Sequence, residues 1–293
     1  MKIALYGLTV NPDFIDEFAR LLDLLKEKQV EYYIYRPFLD YMKQDCCLKP
    51  EFAGIFENGE DLPDDVSYIF SLGGDGTLLK SFMVAQKSSI PLVGINSGRL
   101  GFLSDISRIE IEQALDDIIS GNVIIDERTV LELEIVHNDH SDFQYALNEI
   151  TVTKLDSSSM ISINTFINDE YLNTYWADGL IIATPTGSTA YSLSVGGPIL
   201  TPDSRNFVIS PIAAHHLTVR PIVVPDHYSI SLQVEDRGLH FLTSVDSQSE
   251  PIYFSVMLKI RKASFNVKTV RLKDHSFFST LRNKLMWGVD KRN

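Results

Sequence analysis

The stretch VSYIFSLGGDGTLLKSFMVAQK, residues 66 to 87, decides the fold. An apolar run, VSYIFSL, reads as a buried strand. It ends in Gly73, Gly74, Asp75, Gly76 and Thr77, and a helical segment follows with Leu78, Leu79, Phe82 and Met83 on one face. Working outward, the same alternation recurs. KIALYG is a strand closed by Gly7, and Phe14, Phe18, Leu21, Leu22 and Leu25 repeat at helical spacing between Asp13 and Lys28. Asp13, Asp16 and Glu17 sit in that helix's first turn, where the dipole favours acids. EYYIYR and PLVGIN are further strands, while residues 40 to 64 read as a long polar loop or a marginal helix. Strands alternating with helices over the first hundred residues predict a parallel, doubly wound sheet.

The period then changes. IEIEQALDDIISG is one more helix, stopped by Gly121. From about residue 123 every second residue is apolar: Leu131, Leu133 and Ile135; Ile161, Ile163, Thr165 and Ile167; Ile230, Leu232 and Val234. Polar turns such as HNDHSD separate these runs, which predicts a β-rich domain of two packed sheets. HSFFSTLRNKLMWG is helical again. The expected domains are an α/β domain over 1–105, a β-rich domain over 106–270, and a segment over 271–293 that packs back on the first domain.

Composition sets the partners. The 293 residues are 44% hydrophobic and 22% charged, and 26 basic against 39 acidic side chains leave a net charge of −13. Such a chain offers no broad basic footprint for nucleic acid or anionic lipid. Any anion must be held by local devices. Cys46 and Cys47 are adjacent, which fits free thiols in a reducing compartment and neither a disulfide framework nor a metal-binding CxxC. No secretory signal and no stretch of ~18 to 20 apolar residues is present, so the reading is a cytoplasmic protein without a membrane partner.

Two segments are dense in groups that do chemistry. At the carboxyl end of a parallel strand, helix N-termini present unpaired N–H groups to anions. Gly73, Gly74 and Gly76 would let an anion approach the main chain, and Lys80, three residues after Thr77, would reach a phosphate. Asp75 repels phosphate, so it either holds a metal, accepts a proton from an attacking hydroxyl, or makes an Asx-type turn. The second segment is DGLIIATPTGSTAYSLSVGGP, residues 178 to 198. Thr186, Ser188, Thr189 and Ser192 crowd a glycine turn, and a helix starting near Ser188 would put Ser188 and Ser192 on one face. These hydroxyls read as a polyphosphate or ribose cradle, or as helix caps. GINSGRLGFL is a third strand-end turn, with Asn96 and Arg99 expected exposed; His137 with His140, and His215 with His216, lack metal-ligand spacing. Neither GxxxxGK[ST] nor GxGxxG nor GxSxG occurs.

GGDGT at 73–77, NSGRLGFL at 96–103, NE at 148–149 and DGLIIATPTGSTAYSLS at 178–194 together resemble the NAD kinases. SVDSQ at 244–248 and the terminal LRNKLMWG also fit. GGDGT alone is shared with diacylglycerol and sphingosine kinases; the long second motif singles out the family. The resemblance implies phosphorylation of the adenosine ribose 2′-hydroxyl of NAD, with ATP as donor and a divalent metal, most simply Mg²⁺, giving NADP. Carried over by position, Asp75 would take the hydroxyl proton and Gly76 would contact the dinucleotide. Asn148 and Glu149 would bind ribose hydroxyls or nicotinamide-side groups. Asp178 with Thr189, Ala190, Tyr191, Ser192, Leu193 and Ser194 would complete the pocket, with Gln248 near it. Where family members often carry a basic or small residue, this chain has Trp176, followed by Ala177. The family commonly forms homodimers or homotetramers. A lipid or sphingoid kinase using the same turn, and a non-catalytic dinucleotide-binding regulator, are the competing readings.

Overall fold

Apolar runs too short for helices and flanked by glycine or proline form the central strands of the first unit. The computed structural model describes residues 1–46, 48–86, 88–136, 141–155, 160–235, 240–254 and 256–287. It divides into two units, Met1–Glu127 with the chain from Val267 onward, and Arg128–Asn266.

The first unit contains β1 (Lys2–Gly7), α1 (Ile15–Glu27), β2 (Glu31–Tyr35), α2 (Arg36–Gln44), β3 (Gly54–Phe56), β4 (Val66–Leu72), α3 (Asp75–Ala85), β5 (Leu92–Ile95) and α4 (Ile111–Ile119). Its strands run parallel in the order β3-β2-β1-β4-β5. Alternate residues serve opposite faces. Ile3, Leu5, Phe70, Leu72, Val93 and Ile95 join a core with Phe18 and Leu21 of α1, Phe38 and Met42 of α2, and Leu115 and Ile118 of α4. On the other face a Cβ built on Gly94 would meet Leu78 of α3 at 2.9 Å. Helices therefore cover both faces, as a doubly wound sheet requires.

Four expectations differ from the structure. Residues 36–44 are a helix, where the sequence reads as strand through Arg36 and as a long polar loop or a marginal helix from residue 40. Pro37 lies in its first turn, where a missing N–H is harmless, and Phe38, Leu39 and Met42 are its buried face. On α3, Met83 is 45% exposed and the buried positions are Leu78, Ser81, Phe82 and Ala85. The boundary of the first unit falls at 127/128 rather than at 105, because α4 buries Ile111, Ala114, Leu115 and Ile118 in this unit's core. The chain returns to the first unit at Val267 rather than at 271, and Val270 and Leu272 lie in the same core.

Most of the second unit is antiparallel. The chain enters it along β6 (Val123–Val136) and continues through β7 (Ser141–Ala146), β8 (Glu149–Lys154), β9 (Ile161–Ile167), β10 (Glu170–Ala177), β11 (Gly179–Ala183) and the single turn α5 (Tyr191–Ser194). It goes on through β12 (Asn206–Ile212), β13 (Ile222–Pro225), β14 (Ile230–Glu235), β15 (His240–Val245) and β16 (Gln248–Tyr253). It leaves along β17 (Met257–Leu272), and α6 (Phe277–Leu285) follows in the first unit. One sheet has the order β13-β12-β11-β8-β15-β16. Facing it, β10, β9, β14 and β17 pair side by side, and β6 forms a hairpin with β7. The predicted alternation fills the space between the sheets: Leu131, Leu133, Ile135, Ile161, Ile163, Ile230 and Leu232 meet Ile150, Val152, Leu180, Ile182, Phe207 and Phe241. Among the described residues no helix is long and apolar enough to cross a membrane.

Candidate functional site

The glycines of the opening turn do different jobs. Gly73 is buried at φ +154°, and a Cβ there would meet the Thr77 hydroxyl at 2.3 Å. Gly74 and Gly76 are exposed, and a Cβ on either would meet nothing within 4 Å. Only these two leave main chain open to a ligand. Lys80 is exposed and Thr77 half-buried on the helix they start.

Asp75 is the first residue of α3, and its carboxylate does not cap its own turn. It reaches the loop after β5. Oδ2 accepts from the Phe102 amide at 2.8 Å, and Oδ1 accepts from the Leu103 and Ser104 amides at 3.0 and 2.9 Å. The close approach explains Gly101, where a Cβ would lie 1.9 Å from Oδ1. A carboxylate has about four acceptor directions. Among the described residues three are filled, and one on Oδ2 is open. Lys284 of α6 brings its Nζ to 3.6 Å from that oxygen. The Asx-turn alternative is thus set aside.

Asn96, expected exposed, is 3% exposed. Its Nδ2 donates to the carbonyls of Arg99 and Ser104 at 2.6 and 3.3 Å, and its Oδ1 accepts from the Gly98 amide at 2.6 Å. Asn96 ties the loop that clamps Asp75, while Arg99 is exposed as read.

His275 was not singled out by the sequence, and it anchors the segment leading into α6. Its Nδ1 lies 3.2 Å from Asp105 and its Nε2 3.0 Å from Glu110. The Asp105 carboxylate, helped by Glu110 and opposed by burial, raises the imidazole from 6.5 to about 9. Burial works to raise Glu110, but hydrogen bonds from Ser107 and His275 bring it below its ordinary value. A base whose folded value is raised stabilises fully below its unfolded value and loses that contribution as pH rises through the folded one. Wild type should therefore exceed His275→Ala by about 2 to 3 kcal/mol near pH 6, a margin that shrinks through pH 9. Denaturant midpoints across that range check it; a pH-independent margin would contradict the charged bridge.

In the second unit Asn148 and Glu149 form the turn into β8. Asp246, in the turn between β15 and β16, holds it. Its Oδ2 accepts from the Leu147 amide at 2.9 Å, and its Oδ1 accepts from the Asn148 and Glu149 amides at 2.8 and 3.0 Å. Its own amide returns a bond to the Glu149 carbonyl at 2.9 Å. Thr184, at the end of β11, donates its hydroxyl to Leu147 O at 2.6 Å and its amide to Asn148 O at 2.8 Å.

Glu149 is buried, and its Oε2 has no partner among the described residues. Burial, then the negative charge of Asp246, pushes its carboxyl up to about 8 against a hydrogen bond from the Tyr191 amide. Asp246 is also raised by burial, in spite of its three amides. At neutral pH Glu149 thus carries a proton in a folded protein whose unfolded chain would release it. Stability falls as pH rises between about 4.5 and 8. Glu149→Gln removes that dependence. Its stability relative to wild type should climb by a few kcal/mol between about pH 5 and pH 8, read from denaturant midpoints. A flat difference would show that the carboxyl is not protonated in the folded state.

The hydroxyl-rich turn is not one helix from Ser188. A 3₁₀ turn, Gly187–Thr189, is followed by Ala190 at φ −100°, ψ −128°, and then by α5. Ser188 donates to Pro185 O at 2.6 Å and accepts from the Leu200 amide at 2.9 Å. The Ser192 and Ser210 hydroxyls are 3.0 Å apart, and both are buried. The Thr189 hydroxyl turns back to Thr186 O at 3.1 Å, and Thr186 is buried. Thr186, Ser188 and Ser192 are thus buried and hold the turn, whereas Thr189 is half-buried. Tyr191 and Ser194 are exposed, and Ala190 and Leu193 half-buried. Asp178 pairs with Lys154 at 2.6 Å, and Gln248 is exposed at the start of β16. Trp176 is 51% exposed, its ring 6.1 Å from that of His216. His215 and His216 are exposed; Cys47, His137 and His140 lie outside the described residues.

Among the described residues no group of three or more His, Cys, Asp or Glu side chains could hold a metal ion.

Residues 56–123 match the ATP-NAD kinase N-terminal domain, and residues 147–272 the ATP-NAD kinase C-terminal domain. The chain is 45% identical to an NAD kinase of Cytophaga hutchinsonii and 44% identical to one of Bacteroides fragilis, each over the whole of both chains. Among solved structures, an NAD kinase from Archaeoglobus fulgidus in complex with ATP superposes with a TM-score of 0.72 at 26% identity, covering 98% of this chain and 99% of that one. Yeast NADH kinase complexed with NADH shares the fold, with a TM-score of 0.88 at 22% identity, covering 100% of this chain and 89% of that one. With full-length identity at this level, and with the glycine turn, the NE turn and the hydroxyl-rich turn all in place, the chain belongs to the NAD kinase family.

Proposed function

We propose that the protein transfers the γ-phosphoryl group of ATP to the 2′-hydroxyl of the adenosine ribose of NAD, releasing NADP and ADP. The observation that carries this is Asp75, an acid beside two open glycines with one acceptor position left on Oδ2. A ribose hydroxyl donating there would give up its proton as its oxygen bonds to the γ-phosphorus and the bond to the β,γ-bridging oxygen breaks. General-base help of this kind is worth roughly 10²- to 10⁴-fold. The amides of Gly74 and Gly76 and the Lys80 ammonium are assigned to phosphate, where positioning and charge neutralisation do most of the work. A bound Mg²⁺ supplies neutralisation of the triphosphate charge.

Dinucleotide contacts are assigned to Asn148, Glu149, Asp178, Thr189, Ala190, Tyr191, Leu193, Ser194 and Gln248. The unpartnered Oε2 of Glu149 supports this, since a protonated carboxyl can both donate to and accept from sugar hydroxyls. Assembly as a homodimer or homotetramer belongs to the same reading. Among the described residues β10 and β13 are sheet edges paired on one side only.

Purified protein with ATP, Mg²⁺ and NAD should yield a 2′-phosphorylated dinucleotide by ³¹P NMR and no product when diacylglycerol or a sphingoid base replaces NAD. Binding of NAD without NADP formation would instead favour a regulator, and lipid phosphorylation the lipid-kinase reading.

A further inference from the structure

Lys284 sits where the reaction would need a charge. Oδ1 of Asp75 is saturated by two amides and Oδ2 holds a third, so among the described residues the direction left for a substrate hydroxyl is on the oxygen that Lys284 faces at 3.6 Å. At that distance the pair is an ion pair and no hydrogen bond. The ammonium is also held from the side by the Phe102 ring, with Nζ 4.9 Å from its centroid. Phe102 belongs to the same loop that clamps Asp75, so loop, acid and lysine form one cluster within the first unit. The helix that carries Lys284 is fixed at its start by the Ser276 cap and by the His275 bridges to Asp105 and Glu110. A lysine in a helix's last turn is usually a solvated charge, and its surface ion pairs contribute about 0 to 1 kcal/mol. This one differs in lying against the single open acceptor of the proposed base.

We propose that Lys284 is a phosphate contact in the transfer. The inference rests on the reading of Asp75 given above. A substrate hydroxyl and the ammonium compete for Oδ2. When the hydroxyl takes that position, the ammonium is displaced from the carboxylate towards the oxygens of the phosphoryl group approaching the same hydroxyl. The hydroxyl oxygen bonds to phosphorus, the bond from phosphorus to the leaving ADP oxygen breaks, and the proton ends on Asp75. Lys284 keeps its three protons and gives only charge and hydrogen bonds to the transferring group. In the free enzyme the same ammonium balances the charge of Asp75. It thus alternates between two anions.

The test compares Lys284→Met, which keeps length and packing, with Lys284→Arg, which keeps charge, in the full-length protein and well below the lower melting temperature. Lys284→Met should lower kcat about 10²-fold while KM for NAD stays within about threefold, and Lys284→Arg should recover to within about tenfold of wild type. A kcat within about threefold of wild type for Lys284→Met, or equal losses in both variants, would overturn the assignment. Wild type that makes no NADP would sink the proposed function itself. Normal turnover by Asp75→Asn would remove the base and the role of Lys284 with it. Failure of the lysine alone, with wild type active and Asp75→Asn slow, leaves the proposed reaction standing.

Discussion

Asp75→Asn is expected to lower kcat by roughly 10²- to 10⁴-fold while NAD still binds. The substitution keeps the shape but replaces the open acceptor with an amide group. The Asn oxygen can keep the bonds from Leu103 and Ser104, which both go to Oδ1, while the new NH₂ faces the Phe102 amide donor. One backbone donor is left unsatisfied, a local penalty of about 1 to 3 kcal/mol that falls on the clamping loop. Dinucleotide contacts assigned to the second unit are untouched. Calorimetric titration with NAD beside steady-state kinetics separates the two effects. Near-normal turnover would remove Asp75 from the proton transfer.

The second large effect belongs to a residue that contacts no substrate in this account. Asp246→Ala removes all three acceptors from the Leu147, Asn148 and Glu149 amides and places an Ala at φ +50°, which costs a further ~1 kcal/mol. A part-buried backbone donor left without its acceptor costs about 1 to 3 kcal/mol. At neutral pH Glu149 is protonated and offers no like charge to relieve, so a net loss of about 3 kcal/mol or more is expected, with KM for NAD raised at least about tenfold. Asp246→Asn should lose less than half as much, because the Asn148 and Glu149 amides share Oδ1 and an Asn oxygen can keep both. It also tolerates the left-handed backbone. Equal losses in the two variants, by denaturant unfolding, would show that the amide geometry is not what matters.

Local patterns carried the fold, and long-range partners decided the site. The strand and helix flanking GGDGT were legible because strand and helix periods differ, and the β-rich unit because its apolar alternation is strict. The helix Arg36–Gln44 was legible only in part: Pro37 and the Phe38, Leu39 and Met42 stripe signal it, but the strand before it runs into the same residues and the polar stretch from residue 40 reads as loop or marginal helix. Asp75 stood out as an acid among glycines, but its partners lie 27 to 29 residues along the chain, and Lys284 comes from the last helix. Asp246 is 97 to 99 residues from the amides it holds. No periodicity connects such positions. Ser188 and Ser192 looked like ligand donors because hydroxyls in a glycine turn are ambiguous, and only their carbonyl and hydroxyl neighbours show that they face inward. Asn96 was misjudged for the same reason. A polar residue in a turn reads as exposed until the loop folds over it.

A crystal structure of the full-length protein with NAD and a non-hydrolysable ATP analogue tests the proposed proton transfer most directly. The account predicts the ribose 2′-oxygen within about 2.6 to 3.2 Å of Asp75 Oδ2, directly or through one water, with the three loop amides still on the carboxylate. A carboxylate turned away from that sugar, with nothing bridging the gap, would contradict it.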